Sequence, residues 1–131
     1  MQIVAALFIE GIDLRQVPGP STRIDLTGVQ FSAPAPSEPP FTVEPHLVVI
    51  VHCPADGRPT AALEVLYLRD GEQIARNVQP LEVEPGKFNY RLVRAELTFD
   101  EPGSVEARCR IDLGEPLSVP FAVLPPVPAA E

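Results

Sequence analysis

Proline limits what this chain can become more than any other residue. There are 17 in 131 residues, against a usual share of about 5%. A proline can neither sit inside a helix nor donate to a central strand ladder. Twelve of the prolines fall in groups: Pro18 and Pro20, then Pro34, Pro36, Pro39, Pro40 and Pro45, then Pro54 and Pro59, and finally Pro125, Pro126 and Pro128. Between them no window keeps an apolar i, i+3, i+4 pattern free of proline or of β-branched runs. Helix is therefore minor, and the chain is expected to be all-β.

The extended pieces can be read in order. Residues 2–9 (QIVAALFI) are apolar throughout, as in a strand covered on both sides. Residues 22–32 alternate around Ile24 and Leu26. Residues 46–53 (HLVVIVHC) read as a central strand, with Leu47, Val49, Val51 and Cys53 on one face. Residues 61–69 run into Asp70-Gly71, a two-residue hairpin signal, and return along 72–78. Residues 87–99 form a long strand whose inward parity is expected to switch at a bulge near Leu92-Val93. Residues 104–112 alternate cleanly, with Val105, Ala107, Cys109 and Ile111 inward. Residues 117–123 follow, and Pro120 on their outward parity marks an edge strand.

Strands at such short intervals, separated by turn signals, predict an immunoglobulin-like antiparallel β-sandwich of about eight or nine strands. A chain of this length makes one domain with a self-sufficient core. The expected domain covers residues 1–124, with 33–45 as a proline-rich connection and 125–131 as a flexible tail. There is no Trp, so Phe8, Phe31, Phe88, Phe99 and Phe121 are the expected large core pieces. Gly28, inside an alternating strand, predicts a bulge or bend.

Several stretches resemble a widespread, functionally uncharacterised bacterial family of small immunoglobulin-like sandwich proteins. They are AALFIEGIDLRQ, TRIDLTGVQFS with its step Thr27-Gly28-Val29-Gln30-Phe31, LEVLYLRDGEQIA, and EPGSVEARCRIDLGEPLSVPFAV. The chain departs from that pattern in its long proline-rich insert, and at Val105, where such sandwiches often carry tyrosine. The resemblance implies a fold and no activity, because one fold hosts many functions. It carries over no site residue.

Charge and side-chain chemistry narrow the function classes. The net charge is −8, from 18 acids and 10 bases. Nucleic-acid binding needs clustered Lys and Arg to neutralise phosphate. The arginines here are scattered beside acids, and the strip Lys87, Arg91, Arg94 reads as a solvated strand face, so no nucleic-acid partner is expected. The first residues lack a basic leader and meet Glu10 at once, so neither a signal peptide nor a membrane span is expected, and the compartment is taken as cytoplasmic.

Cys53 and Cys109 fall on strands that would face each other across a sandwich. Their position would permit a bridge, whereas a reducing compartment favours two small buried thiols. His46 and His52 lie six positions apart, about 20 Å along a strand, too far to share a metal ion. His52 and Cys53 point to opposite faces and cannot form a dyad. Asp56, Asp70 and Asp100-Glu101 each have a turn explanation, whereas calcium needs six to eight converging oxygens.

No catalytic, cofactor or metal residue is assigned, and the chain is expected not to be an enzyme. The leading expectation is a protein-binding or scaffold module acting through a sheet edge or the 33–45 loop, with a protein partner or its own copies. The alternatives are a subunit of a larger assembly, phage origin included, and a small-ligand or catalytic site built from loops.

Overall fold

The computed structural model describes residues 1–15, 17–18 and 23–128. The expected strand start at residue 22 and residues 129–131 of the expected tail lie outside the described residues. The chain is all-β: eleven strands form three sheets, with no helix among the described residues. In order they are β1 (Gln2–Arg15), β2 (Arg23–Gln30), β3 (Ser32–Pro34), β4 (Phe41–Val43), β5 (His46–His52), β6 (Thr60–Arg69), β7 (Glu72–Glu82), β8 (Phe88–Arg94), β9 (Leu97–Phe99), β10 (Gly103–Ile111) and β11 (Leu117–Leu124).

The first sheet runs β2-β1-β5-β8, the second runs β3-β11-β10-β6-β7, and β4-β9 is a small third sheet. Both large sheets feed one core. Phe8, Leu47, Val49, Val51 and Val93 come from the first, and Leu63, Val65, Tyr67, Val105, Ala107, Cys109, Phe121 and Val123 from the second. Phe8 meets Phe121 across the interface with ring centroids 4.9 Å apart. At the small sheet, Phe41 and Phe99 close the core in the same way, 5.6 Å apart.

Turn chemistry explains the connections. Asp70 (φ 51°) and Gly71 (φ 79°) make the two-residue β6–β7 turn, both left-handed as a hairpin of this kind requires. Arg69 fastens the turn before β10. Its Nη2 donates to the Glu101 carbonyl at 2.8 Å, and its guanidinium lies 4.4 Å from the Phe99 ring centroid.

Some expectations are corrected. The 33–45 connection holds two strands, because Phe41 and Val43 alternate inward as the edge of β9, and β3 pairs with β11. That last pairing is parallel, so the sheets are not wholly antiparallel. It also makes β11 an inner strand along residues 122–124, so that β11, paired with β10 on its other side, is an edge only along its first half, around Pro120. No bulge occurs at Leu92-Val93. The β5–β8 register is unbroken from His46↔Arg94 to His52↔Phe88, and odd positions face inward throughout. Phe31 and Phe88 are exposed, at 78% and 64%, and Phe41 and Tyr67 take the buried places instead.

The apolar even positions of β8 have another cause. Ile24 of β2 pairs with Leu14, whereas Ile50 of β5 pairs with Ala5. Leu14 lies nine positions along β1 from Ala5, about 30 Å if straight. Yet Ile24 walls the same cleft as Ile50, Phe88 and Tyr90. The far half of the β1–β2 hairpin therefore folds back as an arm across the outside of the first sheet. Ile9 and Val48, on that outward parity, are accordingly buried. The bend lies at Gly28, where φ is 63° and a Cβ would stand 2.6 Å from the Glu10 Cδ. The glycine is needed for its backbone angle, since the exposed Glu10 side chain is free to swing away from a Cβ.

Candidate functional site

Once the arm covers one outer face, the opposite one is the broad open surface of the molecule. Its residues are the outward parity of the second sheet: Ile74, Arg76 and Val78 on β7, Glu64, Leu66 and Leu68 on β6, Glu106, Arg108 and Arg110 on β10, and Ser118 and Pro120 on β11. The inward parity of the same strands fills the core, so strand alternation alone sorts the two sets.

The middle of this face is held by charge pairs. Glu64 lies between Val78 and Arg110 in the register, and Leu66 lies between Arg76 and Arg108. Arg76 donates to Glu64 Oε2 through Nε (3.0 Å) and Nη2 (2.8 Å), while Arg110 Nε donates to Oε1 at 2.5 Å. Arg108 reaches Glu106 at 3.5 Å. The hydrogen bonds from Arg76, then from Arg110, hold the Glu64 carboxyl below the usual carboxylate range. Apolar flanks border the stripe, with Ile74 and Val78 exposed on one side and Pro120 on the other. Arginine is a residue type enriched at protein-contact surfaces, and here it stands beside exposed apolar area.

The Glu64 pairing has a pH consequence. A carboxyl whose native pKa is depressed adds stability above its unfolded value, near 4.5, and that contribution is lost as the pH falls through the native value. Wild type should therefore lose stability faster than Glu64→Gln between pH 6 and pH 3. Thermal melts across that range check it, and parallel curves would refute the pairing.

The sheet edges offer less. On one flank β7 and β8 lie side by side, and side chains occupy their backbone groups. Asn89 Nδ2 donates to the Glu82 carbonyl, Arg91 Nε to that of Pro80, and Gln79 Nε2 to that of Leu92. On the other flank the β2 edge is broken by the Gly28 bend, a device that hinders strand addition. In the 33–45 connection, residues 36–40 remain exposed between β3 and β4.

The chemistry-bearing residues stay apart. His46 and His52 stand at opposite ends of β5, paired with Arg94 and Phe88. Asp56, Asp100 and Glu101 are exposed in separate turns, and Asp70 is in the hairpin. Among the described residues no group of three or more His, Cys, Asp or Glu is placed to hold a metal ion. Cys53 and Cys109 are both buried and free. Burial pushes the Cys109 thiol up to about 12, and it raises the buried Tyr67 phenol as well, with Cys109 adding to the effect. Neither group is poised for nucleophilic chemistry at neutral pH.

The strip Lys87, Arg91, Arg94 is largely engaged, since Lys87 pairs with Glu84 and Arg91 donates to backbone carbonyls. Alternation reveals the open-face residues, but nothing in the sequence tells which outer face the hairpin arm will cover. No helix is long and apolar enough to cross a membrane among the described residues. Comparison with protein-family models gives no match, and neither does comparison with curated proteins.

Proposed function

We propose that the chain is a non-enzymatic protein-binding module of immunoglobulin-like sandwich type, with the open face of its second sheet as the contact surface. The observation that carries this reading is the asymmetry of the two outer faces. One is covered by the chain's own hairpin arm, while the other presents an ion-paired arginine stripe between apolar flanks. The immunoglobulin-like reading is supported by the order β3-β11-β10-β6-β7, in which a short strand leaves the first sheet to pair in parallel with the last strand of the second. The bacterial family resemblance belongs to the same reading, and the free thiols favour a reducing compartment.

The test compares three immobilised proteins: wild type, a face variant Val78→Asp/Arg108→Glu, and a β8 control Arg94→Glu. Native lysate of the source organism is passed over each. A partner held by wild type and the control, and lost by the face variant, is the expected result. Identical captures by all three would sink the proposal. A partner lost only by the Arg94 control would move the contact to the first sheet.

A further inference from the structure

Two features lie apart from the open face, and each lacks a use within its own molecule. The first is a cleft of about 290 Å³ where the hairpin arm meets the outside of the first sheet, walled by Ile24, Ile50, Phe88, Asn89 and Tyr90. The Phe88 ring is 64% exposed, and it rests against the His52 imidazole with centroids 4.5 Å apart. Phe88 and Tyr90, two positions apart on β8, point to the same side. The adjoining concavity, which shares Phe88 and Asn89, is bordered by Lys87 and Arg91 and by Glu82 and Glu84, so its charges balance.

The second feature is the stretch 124–128, Leu-Pro-Pro-Val-Pro, in which Leu124 ends β11, residues 125–128 continue without regular structure, and Leu124 and Val127 are exposed. Three prolines in five residues restrict this backbone to the extended polyproline form. Such segments dock in aromatic-lined grooves at low entropic cost, because they are already ordered.

These features stand at opposite poles. Gln2 pairs with His52, and His52 with Phe88, while Gln2 also lines a concavity with Leu117 at the start of β11. Val123, near the far end of β11, lines another with Val43 and Pro45, just before β5 begins. The strand β11 therefore carries its proline-rich stretch away from the cleft of its own molecule. Charge also suits a second copy. Residues 116–130 carry no charged side chain in a protein of net charge −8, so this stretch approaches a like copy without adding charge repulsion of its own.

We propose that the proline-rich stretch of one copy occupies the aromatic cleft of the next, so that the protein associates head to tail. A contact of this kind is heterologous, so it builds chains, or rings where the rotation closes, instead of a two-fold dimer.

Two variants test it by analytical ultracentrifugation, with circular dichroism confirming that each is folded. Phe88→Ser disables the cleft, and Pro126→Asp/Val127→Asp disables the stretch. Wild type should show a concentration-dependent ladder of dimer, trimer and longer species, while each variant alone should be monomeric. An equimolar mixture of the two variants should give a one-to-one dimer that grows no further, because only one competent cleft and one competent stretch remain. A monomeric wild type up to about 1 mM, or a ladder that survives either variant, overturns the proposal. A synthetic Leu-Pro-Pro-Val-Pro peptide, titrated by NMR, should shift the signals of Ile50, Phe88 and Tyr90. A peptide that binds there while wild type stays monomeric also overturns it, and assigns the cleft to the proline-rich segment of another protein.

Discussion

Truncating Phe8 to alanine should lower the free energy of unfolding by about 3–5 kcal/mol, the cost of a large cavity in a core that cannot fully collapse. Phe8 is 1% exposed, and its ring joins the two large sheets through Phe121. With no Trp in the chain, little else of comparable size can move into the space. Domains of this kind are stable by only about 5–15 kcal/mol, so the variant should stand near its unfolding threshold at 37 °C. Urea denaturation measures the loss. A cost below about 1 kcal/mol would mean that the sheets close up without this ring, and that Phe8 is not their main link.

Val48→Asp is the second large effect, and it reports on the arm. Val48 lies on the outward parity of β5, opposite Leu7 and Leu92. On a bare outer face, a charge there would change stability by no more than about 0.5 kcal/mol. Val48 is fully buried, so the aspartate must either lose its hydration without a partner, at about 3–5 kcal/mol, or push the arm away. Hydrogen exchange separates these outcomes. Release of the arm would speed exchange in residues 11–15 and 23–27 while β6 and β10 stay protected. No loss of stability and no change in exchange would show that the arm does not cover this face.

The pieces best legible in the sequence are those where period and punctuation agree. The alternation of 104–112 and the Asp70-Gly71 turn appear as expected because each depends on a few adjacent residues. The first sheet was harder to read, since its apolar residues occupy both parities of β5 and β8. Alternation then looks like a bulge at Leu92-Val93, when in fact the second set of apolar residues faces the chain's own arm. That arm depends on Gly28, whose positive φ and contact with Glu10 join residues 18 positions apart. The turn after β10 misleads in a similar way. Gly114 is the obvious left-handed position, yet Asp112 (φ 47°) and Leu113 (φ 63°) take that role. Asp112 does so because its carboxylate accepts the Ala62 backbone N–H at 2.9 Å while its own N–H donates to the Ala62 carbonyl. The proposed contact face was legible residue by residue, through parity. Its being open was not, because openness is decided by a distant segment.

The opposite-pole placement of residue 2 and residue 124 has a mechanical meaning. A pull applied between them runs along the strands, since β1 starts at the pole where β11 also starts and β11 ends at the other. The ladders of β1 with β5, and of β11 with β10 and β3, would then be sheared, with all their hydrogen bonds loaded together instead of being peeled one at a time. Resistance to such a load is set by the unfolding rate and not by equilibrium stability. If copies are strung head to tail, each would act as a stiff element in series, and the weakest junction would be the proline-rich stretch in its cleft.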